Sequence, residues 1–246
     1  MQIIGHRGAR GEAPENTLGG FHYLRNLGVG AVEFDVRQLC DRQLVVIHDD
    51  QLQRTTGQHQ QLYACTYPEL QPYNQAQLWP NWAPFEPTPL LSDTLSVIEN
   101  FQHIEVEIKA VDTWHDAEQL VTVLHQQLKG FEQNAVITSF DHKILQVLMQ
   151  CDSPFQRGLL VEDDLKFKAI DQALALNCCQ IGWKDSLATD AIINATQQAN
   201  LAISVWTVNN LQRAQQLHDL GIQGLITDYP QRMLSYFSTR LTPHQS

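Results

Sequence analysis

Short runs of β-branched and aliphatic residues alternate with segments of helical periodicity along most of the chain. The apolar runs predict strands, because each is four to six residues long and most are bounded by turn-forming positions. They are Gln2–Gly5, Ala31–Val36, Leu44–His48, Ile104–Lys109, Ala135–Thr138, Arg157–Val161, Cys179–Gly182, Ile203–Trp206 and Gly224–Thr227. Helices are predicted over Asp116–Leu128, His142–Met149, Lys166–Leu176, Asp190–Gln198 and Leu211–Leu220. Repeated units of this kind indicate a parallel α/β sheet.

The nine predicted strands are one more than an eight-stranded barrel needs. A parallel crossover takes about a dozen residues, yet only residues 37–43 separate the second predicted strand from the third. Those two strands must therefore form an antiparallel hairpin, which turns near Asp41 and Arg42. The remaining strands predict an α/β fold of the (β/α)8 TIM-barrel class, which typically takes about 250 residues.

Residues 50–91 break the alternation. The segment is rich in Gln, Tyr, Trp and Pro, and it is too long for a plain loop in a compact domain. We therefore predict a small subdomain inserted after the hairpin, over the mouth of the barrel. The alternative is a partly disordered excursion, which the aromatic content disfavours. Residues 1–246 are otherwise expected to form a single domain.

Two of the predicted strands carry carboxylates that packing alone would not place there. Side chains alternate between the faces of a strand, so Glu33 and Asp35 share one face, and Glu105, Glu107 and Lys109 share another. Carboxylates that line a cavity repel one another and lose hydration, so they need a cation or a ligand to stay ionised. Hard oxygen donors suit Mg²⁺ or Ca²⁺. The pattern therefore predicts a site for one divalent cation.

Two histidines end strands next to this cluster. His6 follows the first strand, and the hairpin folds His48 back towards Glu33 and Asp35. An imidazole titrates near neutral pH, which suits general acid–base catalysis. A lone histidine is more often structural, but two that point at one carboxylate cluster favour a catalytic pair.

Two basic residues are candidates for binding an anionic group. Arg7 offers a planar fork that suits phosphate oxygens, and Lys109 offers a compact charge beside the cluster. The alternative for Lys109 is ion pairing with Glu107 or Glu105, and the two roles are compatible.

The amino-acid composition limits the classes of molecule that this protein is expected to bind. The balance of 16 Lys and Arg against 27 Asp and Glu gives a net charge of −11, which disfavours nucleic acid and anionic membranes. A small anionic substrate is still compatible with this net charge, because a cation and Arg7 can invert the local field.

Five cysteines without C-x-x-C spacing indicate free thiols in a reducing compartment. With no leader or transmembrane run apparent, we expect a cytoplasmic monomer or homodimer without stable membrane anchoring.

Taken together, the motifs resemble those of one known family. They are His6-Arg7-Gly8, Pro14-Glu15-Asn16-Thr17, Glu33-x-Asp35-Val36, Val45-Val46-Ile47-His48-Asp49, Glu107-Ile108-Lys109, Trp206-Thr207-Val208-Asn209 and Thr227-Asp228-x-Pro230. In this order and spacing they resemble the glycerophosphodiester phosphodiesterases, and the resemblance runs from Ile4 to Pro230.

The resemblance implies a TIM barrel that uses one divalent cation, Ca²⁺ or Mg²⁺, to hydrolyse glycerophosphodiesters to sn-glycerol 3-phosphate and an alcohol. It implies a role for each of several residues: Glu33, Asp35 and Glu107 as metal ligands, His6 and His48 as acid and base, and Glu15 and Asn16 as supporting residues. Trp206 would form an apolar wall against the glycerol moiety, although a core aromatic residue is nearly as consistent with its position.

One departure and two rival functions stay open. Glu105 stands where the family commonly has a neutral residue, so it either adds to cation binding or lies a layer deeper and pairs with a base. A phosphodiesterase for lysophospholipids would share the barrel and its ligands; the acidic charge argues against it. An inactive barrel that binds glycerophosphate groups would be marked by loss of a ligand or a histidine, and none is lost.

Overall fold

The alternating strands close into a barrel in the computed structural model, which describes residues 1–241. The strands are β1 Gln2–His6, β2 Ala31–Gln38, β3 Leu44–Val46, β4 His103–Ile108, β5 Ala135–Ser139, β6 Gln156–Val161, β7 Gln180–Lys184, β8 Ala202–Trp206 and β9 Gly224–Thr227. Their order is β1-β9-β8-β7-β6-β5-β4-β2-β3, and β1 also pairs with β2. Every neighbouring pair is parallel except β2–β3. The predicted TIM barrel is confirmed.

The hairpin forms as predicted, but its second strand is shorter than expected. β3 pairs antiparallel with β2, with Val46 opposite Val36 and Leu44 opposite Gln38. The Ile47 N–H still donates to the carbonyl of Asp35 at 3.0 Å. The carbonyl of His48 instead accepts from Arg37 Nε at 2.8 Å, so the strand ends before His48 and frees that residue.

Helices cover the outside of the barrel. They are α1 Leu18–Asn26, α2 Gln53–Thr56, α3 Tyr67–Leu70, α4 Leu91–Val97, α5 Trp114–Gln127, α6 His142–Gln150, α7 Lys168–Ala175, α8 Asp190–Gln198, α9 Leu211–Asp219 and α10 Pro230–Leu241, with 3-10 turns at Leu62–Ala64 and Asp185–Leu187. All five predicted helices are present. Within residues 1–241, no helix combines the length and the hydropathy that a membrane span requires.

Five helices were not predicted: α1, α4 and α10 around the barrel, and the four-residue α2 and α3 in the inserted segment. In α1 the cause is composition, because Gly19 and Gly20 both disfavour helix. The helix forms nevertheless, since the Thr17 hydroxyl caps it by accepting from the Gly20 N–H at 3.0 Å. Its apolar face packs on the sheet, where Phe21 meets Phe34 edge-on with ring centroids 5.7 Å apart. Burial of this face against the barrel outweighs the low propensity of the glycines.

Residues 50–90 fold into short helical turns over the hairpin rather than into a disordered excursion. Their apolar side chains form a cluster with the hairpin, made of Leu39, Val45, Ile47, Leu52, Leu62, Cys65 and Leu70. The segment also docks on α1, where the Gly19 N–H donates to Glu86 Oε2 at 3.1 Å. A Cβ at Gly19 would lie 2.1 Å from Glu86 Oε1, so only glycine permits this approach. The assignment of the chain to one domain stays a prediction.

Gly5 offers a test of how the turn after β1 is built. A Cβ at Gly5 would lie 2.0 Å from the backbone oxygen of Gly8, so this turn cannot accept a side chain there. We expect Gly5→Ala to lower the free energy of unfolding by about 3 kcal/mol or more. Gly30→Ala is the matched control, because its nearest neighbour would be 3.7 Å away. Urea unfolding measures both, and equal midpoints for the two variants would contradict the expectation.

Candidate active site

Three carboxylates converge where the carboxyl ends of β2 and β4 meet. Glu33 and Asp35 belong to β2, Glu107 belongs to β4, and Asp35 lies directly opposite Glu107 in the parallel register. All three are buried, and one oxygen from each lies within 4.8 Å of the others. A cation that binds each oxygen at about 2.3–2.6 Å spans such separations. The cluster could therefore hold one metal ion.

The donor chemistry of this cluster fits a hard divalent cation. Glu33 Oε1 is buried and has no hydrogen-bond partner, which is costly for a carboxylate unless a cation or ligand completes its environment. All the donors are oxygens, as Mg²⁺ and Ca²⁺ both require. The carboxylates thus suit either ion.

Two basic side chains partly balance the negative charge. Lys109 Nζ lies 2.5 Å from Asp35 Oδ1 and also contacts Glu107 Oε1. Arg7 Nε lies 3.2 Å from Asp35 Oδ2, and the Arg7 backbone N–H donates to Glu33 Oε2 at 3.1 Å. Arg7 adopts a left-handed backbone conformation, with φ of 51°. The lysine therefore pairs within the cluster while it stays beside the cavity.

The protonation of the carboxylates follows from this crowding. Burial, together with the charges of Asp35 and Glu107, raises the pKa of Glu33 well above its usual value. Burial and the charge of Asp35 raise the pKa of Glu107 to about 7. Burial alone would raise the pKa of Asp35, but the charges of Lys109 and Arg7 lower it well below the ordinary value. Glu33 and Glu107 therefore bind protons more readily than ordinary glutamates do, and a cation must displace those protons to bind.

His6 is fixed by an aspartate on the last strand connection. Its Nδ1 lies 2.6 Å from Asp228 Oδ1, and Asp228 Oδ2 accepts from Asn209 Nδ2 at 2.7 Å. Its Nε2 faces the cluster, 3.9 Å from Glu33 Oε2. Burial lowers the pKa of His6, although the hydrogen bond to Asp228 works against this shift. A neutral ring with Nδ1–H on Asp228 presents a basic Nε2 to the cluster.

His48 has a matching arrangement on the opposite side. Its Nδ1 lies 2.7 Å from Asp49 Oδ1, and Asp49 Oδ2 accepts from Arg54 Nε at 2.5 Å. Burial alone would raise the pKa of Asp49, but the hydrogen bonds from His48 and Arg54 lower it strongly. The His48 side chain is 34% exposed against 9% for His6, so it faces the solvent side of the cleft.

A cavity of about 590 Å³ joins these groups. His6, Arg7, Glu33, His48, Glu107 and Lys109 line its floor and sides. One wall is apolar, and there Trp206 packs edge-on against Phe140 with ring centroids 5.4 Å apart. Trp206 Nε1 donates to the carbonyl of Gly182 at 3.0 Å, which fixes the indole. Trp206 is therefore anchored in the barrel and faces the cavity at once.

Glu15 and Asn16 support the cluster from the loop after β1. Asn16 Nδ2 donates to Asp35 Oδ2 at 2.8 Å. Glu15 is 3% exposed and receives hydrogen bonds from the side chains of Arg7, Arg10 and Arg54. It is a buried hub that joins three arginines around one carboxylate.

Glu105 lies opposite Glu33 in the register of β2 and β4, but it is not among the converging carboxylates. It is fully buried, with Oε1 3.1 Å from His103 Nε2 and Oε2 accepting from Ser204 Oγ at 3.3 Å. Of the two interpretations of this residue, the structure supports pairing with a base rather than a part in the carboxylate cluster.

The structure thus brings together the ten site residues proposed from sequence, and their roles stay predictions. It adds Asp49, Arg54, Asn209 and Asp228, which sequence reasoning did not assign. Three of these carried a signal, because Asp49, Asn209 and Asp228 stand in motifs that carry the family resemblance, although no role was predicted for them. Arg54 lies in the insertion, where no periodicity pointed to it.

Comparison with known proteins agrees with this geometry. The profile described as Glycerophosphoryl diester phosphodiesterase family matches residues 6–232. The glycerophosphodiester phosphodiesterase of Bacillus altitudinis is 25% identical over 238 residues, 94% of this chain and 96% of its own. A Homo sapiens lysophospholipase D is 40% identical over 70 residues, 28% of this chain and 22% of its own.

A solved structure shares the fold. It is an Oleispira antarctica phosphodiesterase in complex with the product sn-glycerol-3-phosphate, with a TM-score of 0.84 and 24% identity, covering 97% of each chain.

The pKa of Glu107 predicts how cation binding depends on pH. Below a pKa of about 7 the carboxyl is protonated, so a cation must displace its proton; above that value the carboxylate is free. We expect the affinity for Mg²⁺ or Ca²⁺ to fall up to about tenfold from about pH 7 to about pH 6, with proton release on binding. Calorimetric titration in buffers of different ionisation enthalpy measures both quantities.

Glu107→Gln should abolish this binding, and the exposed Glu118→Gln should leave it unchanged. An affinity that is the same across this pH range, or a Glu107→Gln variant that binds as the wild type does, would contradict the assignment.

Proposed function

Because this chain belongs to the glycerophosphoryl diester phosphodiesterase family, we propose that it hydrolyses glycerophosphodiesters to sn-glycerol 3-phosphate and an alcohol. The observation that carries the proposal is the convergence of Glu33, Asp35 and Glu107 at a cavity that Glu33 and Glu107 line together with His6 and His48. The product bound to the Oleispira antarctica phosphodiesterase favours the same glycerol phosphate product here.

The floor of the cavity is suited to a phosphodiester. A divalent cation held by Glu33, Asp35 and Glu107 would polarise a phosphate oxygen and lower the pKa of a neighbouring hydroxyl. Arg7 and Lys109 lie beside the same carboxylates and would offset the charge of the phosphate. Their contacts with Asp35 hold both basic groups in place before substrate arrives, which reduces the reorganisation that binding requires.

The two histidines would carry the proton transfers. Each has Nδ1 on an aspartate, so each ring offers Nε2 to the substrate. One ring, with Nε2 unprotonated, would remove a proton from the nucleophile, and the other, with a proton on Nε2, would give that proton to the leaving alcohol, each contributing roughly 10²–10⁴-fold. Burial lowers the pKa of His6, which keeps this ring neutral and basic near pH 7.

A phosphodiesterase for lysophospholipids is the second candidate. It is favoured by exposed apolar side chains on the segment after β6, where Leu165 is 38% and Phe167 is 53% exposed, close in sequence to the cavity residue Glu162. An acyl chain could lie against such a rim. The net charge of −11 disfavours an anionic lipid surface, and we therefore place free glycerophosphodiesters first.

We also infer a cytoplasmic location. An inactive binding barrel is disfavoured because both histidines and all three carboxylates are retained.

Enzyme assays with variants test the first candidate. The wild type with Mg²⁺ or Ca²⁺ should release glycerol 3-phosphate from glycerophosphodiesters, and EDTA should abolish the release. His6→Ala, His48→Ala and Glu107→Ala should each lower kcat by about 10²-fold or more, because each removes a proton carrier or a ligand. His22→Ala is the control, since His22 is an exposed histidine on α1. Full turnover after chelation, or a wild-type rate for any of the three variants, would refute the scheme.

A substrate panel separates the two candidates. We expect kcat/KM for glycerophosphocholine to exceed that for a lysophosphatidylcholine by about tenfold or more, since the polar cavity offers more to the head group than to an acyl chain. Replacing Leu165 and Phe167 by serine should leave glycerophosphocholine hydrolysis unchanged. The reverse preference, lost on this double substitution, would establish the lysophospholipid activity instead.

A further inference from the structure

We propose that Arg54, from the segment inserted after the hairpin, is a positioning residue that holds Asp49 and thereby orients the ring of His48. The inference rests on the proposed function, because it assigns His48 to proton transfer. The catalytic scheme above gives no role to Arg54 or to the inserted segment, and this proposal assigns one to each.

Arg54 joins two carboxylates through one guanidinium group. Its Nε donates to Asp49 Oδ2 at 2.5 Å, while Nη1 and Nη2 donate to Glu15 Oε2 and Oε1 at 2.9 and 2.5 Å. The pair with Glu15 is bidentate, a geometry that only the planar fork of arginine provides. Asp49 uses its other oxygen for His48 Nδ1 at 2.7 Å. A rigid link therefore runs from Glu15 to the imidazole.

Glu15 is a fixed point from which Arg54 can hold Asp49. It is 3% exposed, and Arg7 Nη1 and Arg10 Nε donate to its two oxygens at 2.9 and 3.0 Å. Arg7 in turn lies 3.2 Å from Asp35. The contacts form one chain from His48 to the carboxylate cluster. The position of the partly exposed His48 ring is therefore coupled to the positions of the cation ligands.

The backbone that carries Arg54 is itself held in place. Arg54 lies in α2, between the buried residues Leu52 and Thr55. Thr55 Oγ1 donates to Gln75 Oε1 at 2.5 Å, and Thr56 Oγ1 donates to the carbonyl of Leu52 at 2.7 Å. The inserted segment therefore delivers Arg54 to the site from a packed turn.

The orientation of the Asp49 carboxylate depends on the position of Arg54. Across residues 1–241, the side chains that hydrogen-bond to its carboxylate are those of His48 and Arg54. The carboxylate is 21% exposed, so without Arg54 it could rotate towards water and release the ring. When Arg54 is lost, the buried Glu15 keeps two other arginines, Arg7 and Arg10, as partners for its charge. Loss of Arg54 should therefore affect turnover more than folding.

Arg10 provides a matched control. Arg54 and Arg10 are similarly exposed and both donate to Glu15, but only Arg54 reaches Asp49. With glycerophosphocholine as substrate, Arg54→Ala should lower kcat by roughly 10- to 100-fold with KM changed by less than about threefold, while the loss in Arg10→Ala, which leaves Asp49 held by Arg54, should be at least about fivefold smaller. Arg54→Lys should recover part of the loss, and guanidinium chloride in the millimolar range should rescue Arg54→Ala. Equal losses in the two alanine variants would overturn the proposal.

A double-mutant cycle tests whether Arg54 acts through Asp49. In an Asp49→Asn background, Arg54→Ala should lower kcat by less than about twofold, since the interaction is already lost. If Arg54→Ala has its full effect in that background, Arg54 acts by another route and the proposal fails.

A spectroscopic readout makes the test independent of turnover. Long-range ¹H–¹⁵N spectra report which ring nitrogens of His48 carry a proton, and we expect the wild type and Arg10→Ala to show a form with a proton on Nδ1. Arg54→Ala should shift the His48 nitrogen resonances away from that form. If they do so while the wild type releases no glycerol 3-phosphate, the proposed function fails and the positioning stands. If the wild type is active and the resonances do not move, the positioning alone fails.

Discussion

The repulsion among three buried carboxylates is the constraint on which this site depends. Glu33, Asp35 and Glu107 lie close enough to share an ion, and all three are buried, so water screens their charges poorly. Lys109 and Arg7 offset part of this charge through Asp35, and the raised pKa values of Glu33 and Glu107 reflect the part that is left. Such an arrangement is stable only with protons or a cation present. The site is therefore prepared for an ion before any substrate arrives.

The strand pairing of the parallel barrel brings the carboxylates together, and it also places the side chains that contact them. In-register pairing puts Asp35 beside Glu107, and closure between β1 and β2 puts His6 beside Glu33. The pairing of β1 with β9 closes the barrel and brings the residue after β9 to the end of β1, so Asp228 can hold His6. Glu105, opposite Glu33 in the register, hydrogen-bonds to His103 and Ser204 instead and does not join the cluster. The barrel interior thus holds one buried carboxylate with a structural role beside the three that converge.

The inserted segment completes the half of the site that the barrel strands do not reach. His48 leaves the hairpin where the ladder ends, so no strand fixes its ring. Asp49 and Arg54 take over that task by connecting His48 to the buried Glu15. Close contact at Gly19 and Glu86 anchors the far end of the segment on α1. Two histidines with similar local contacts are therefore held by different parts of the fold.

The amino-acid sequence by itself determined the barrel, the hairpin and the carboxylate cluster, because these follow from period-two alternation and from the length of a crossover. It also pointed to His6 and His48, which lie at the carboxyl ends of predicted strands. Only tertiary structure decided the rest. The contact between His6 and Asp228 joins residues 222 positions apart, and it exists because the barrel closes. Arg54 reaches Asp49 through the packing of an irregular segment, and α1 forms against its glycine content. Such contacts depend on long-range packing, which local residue patterns do not encode.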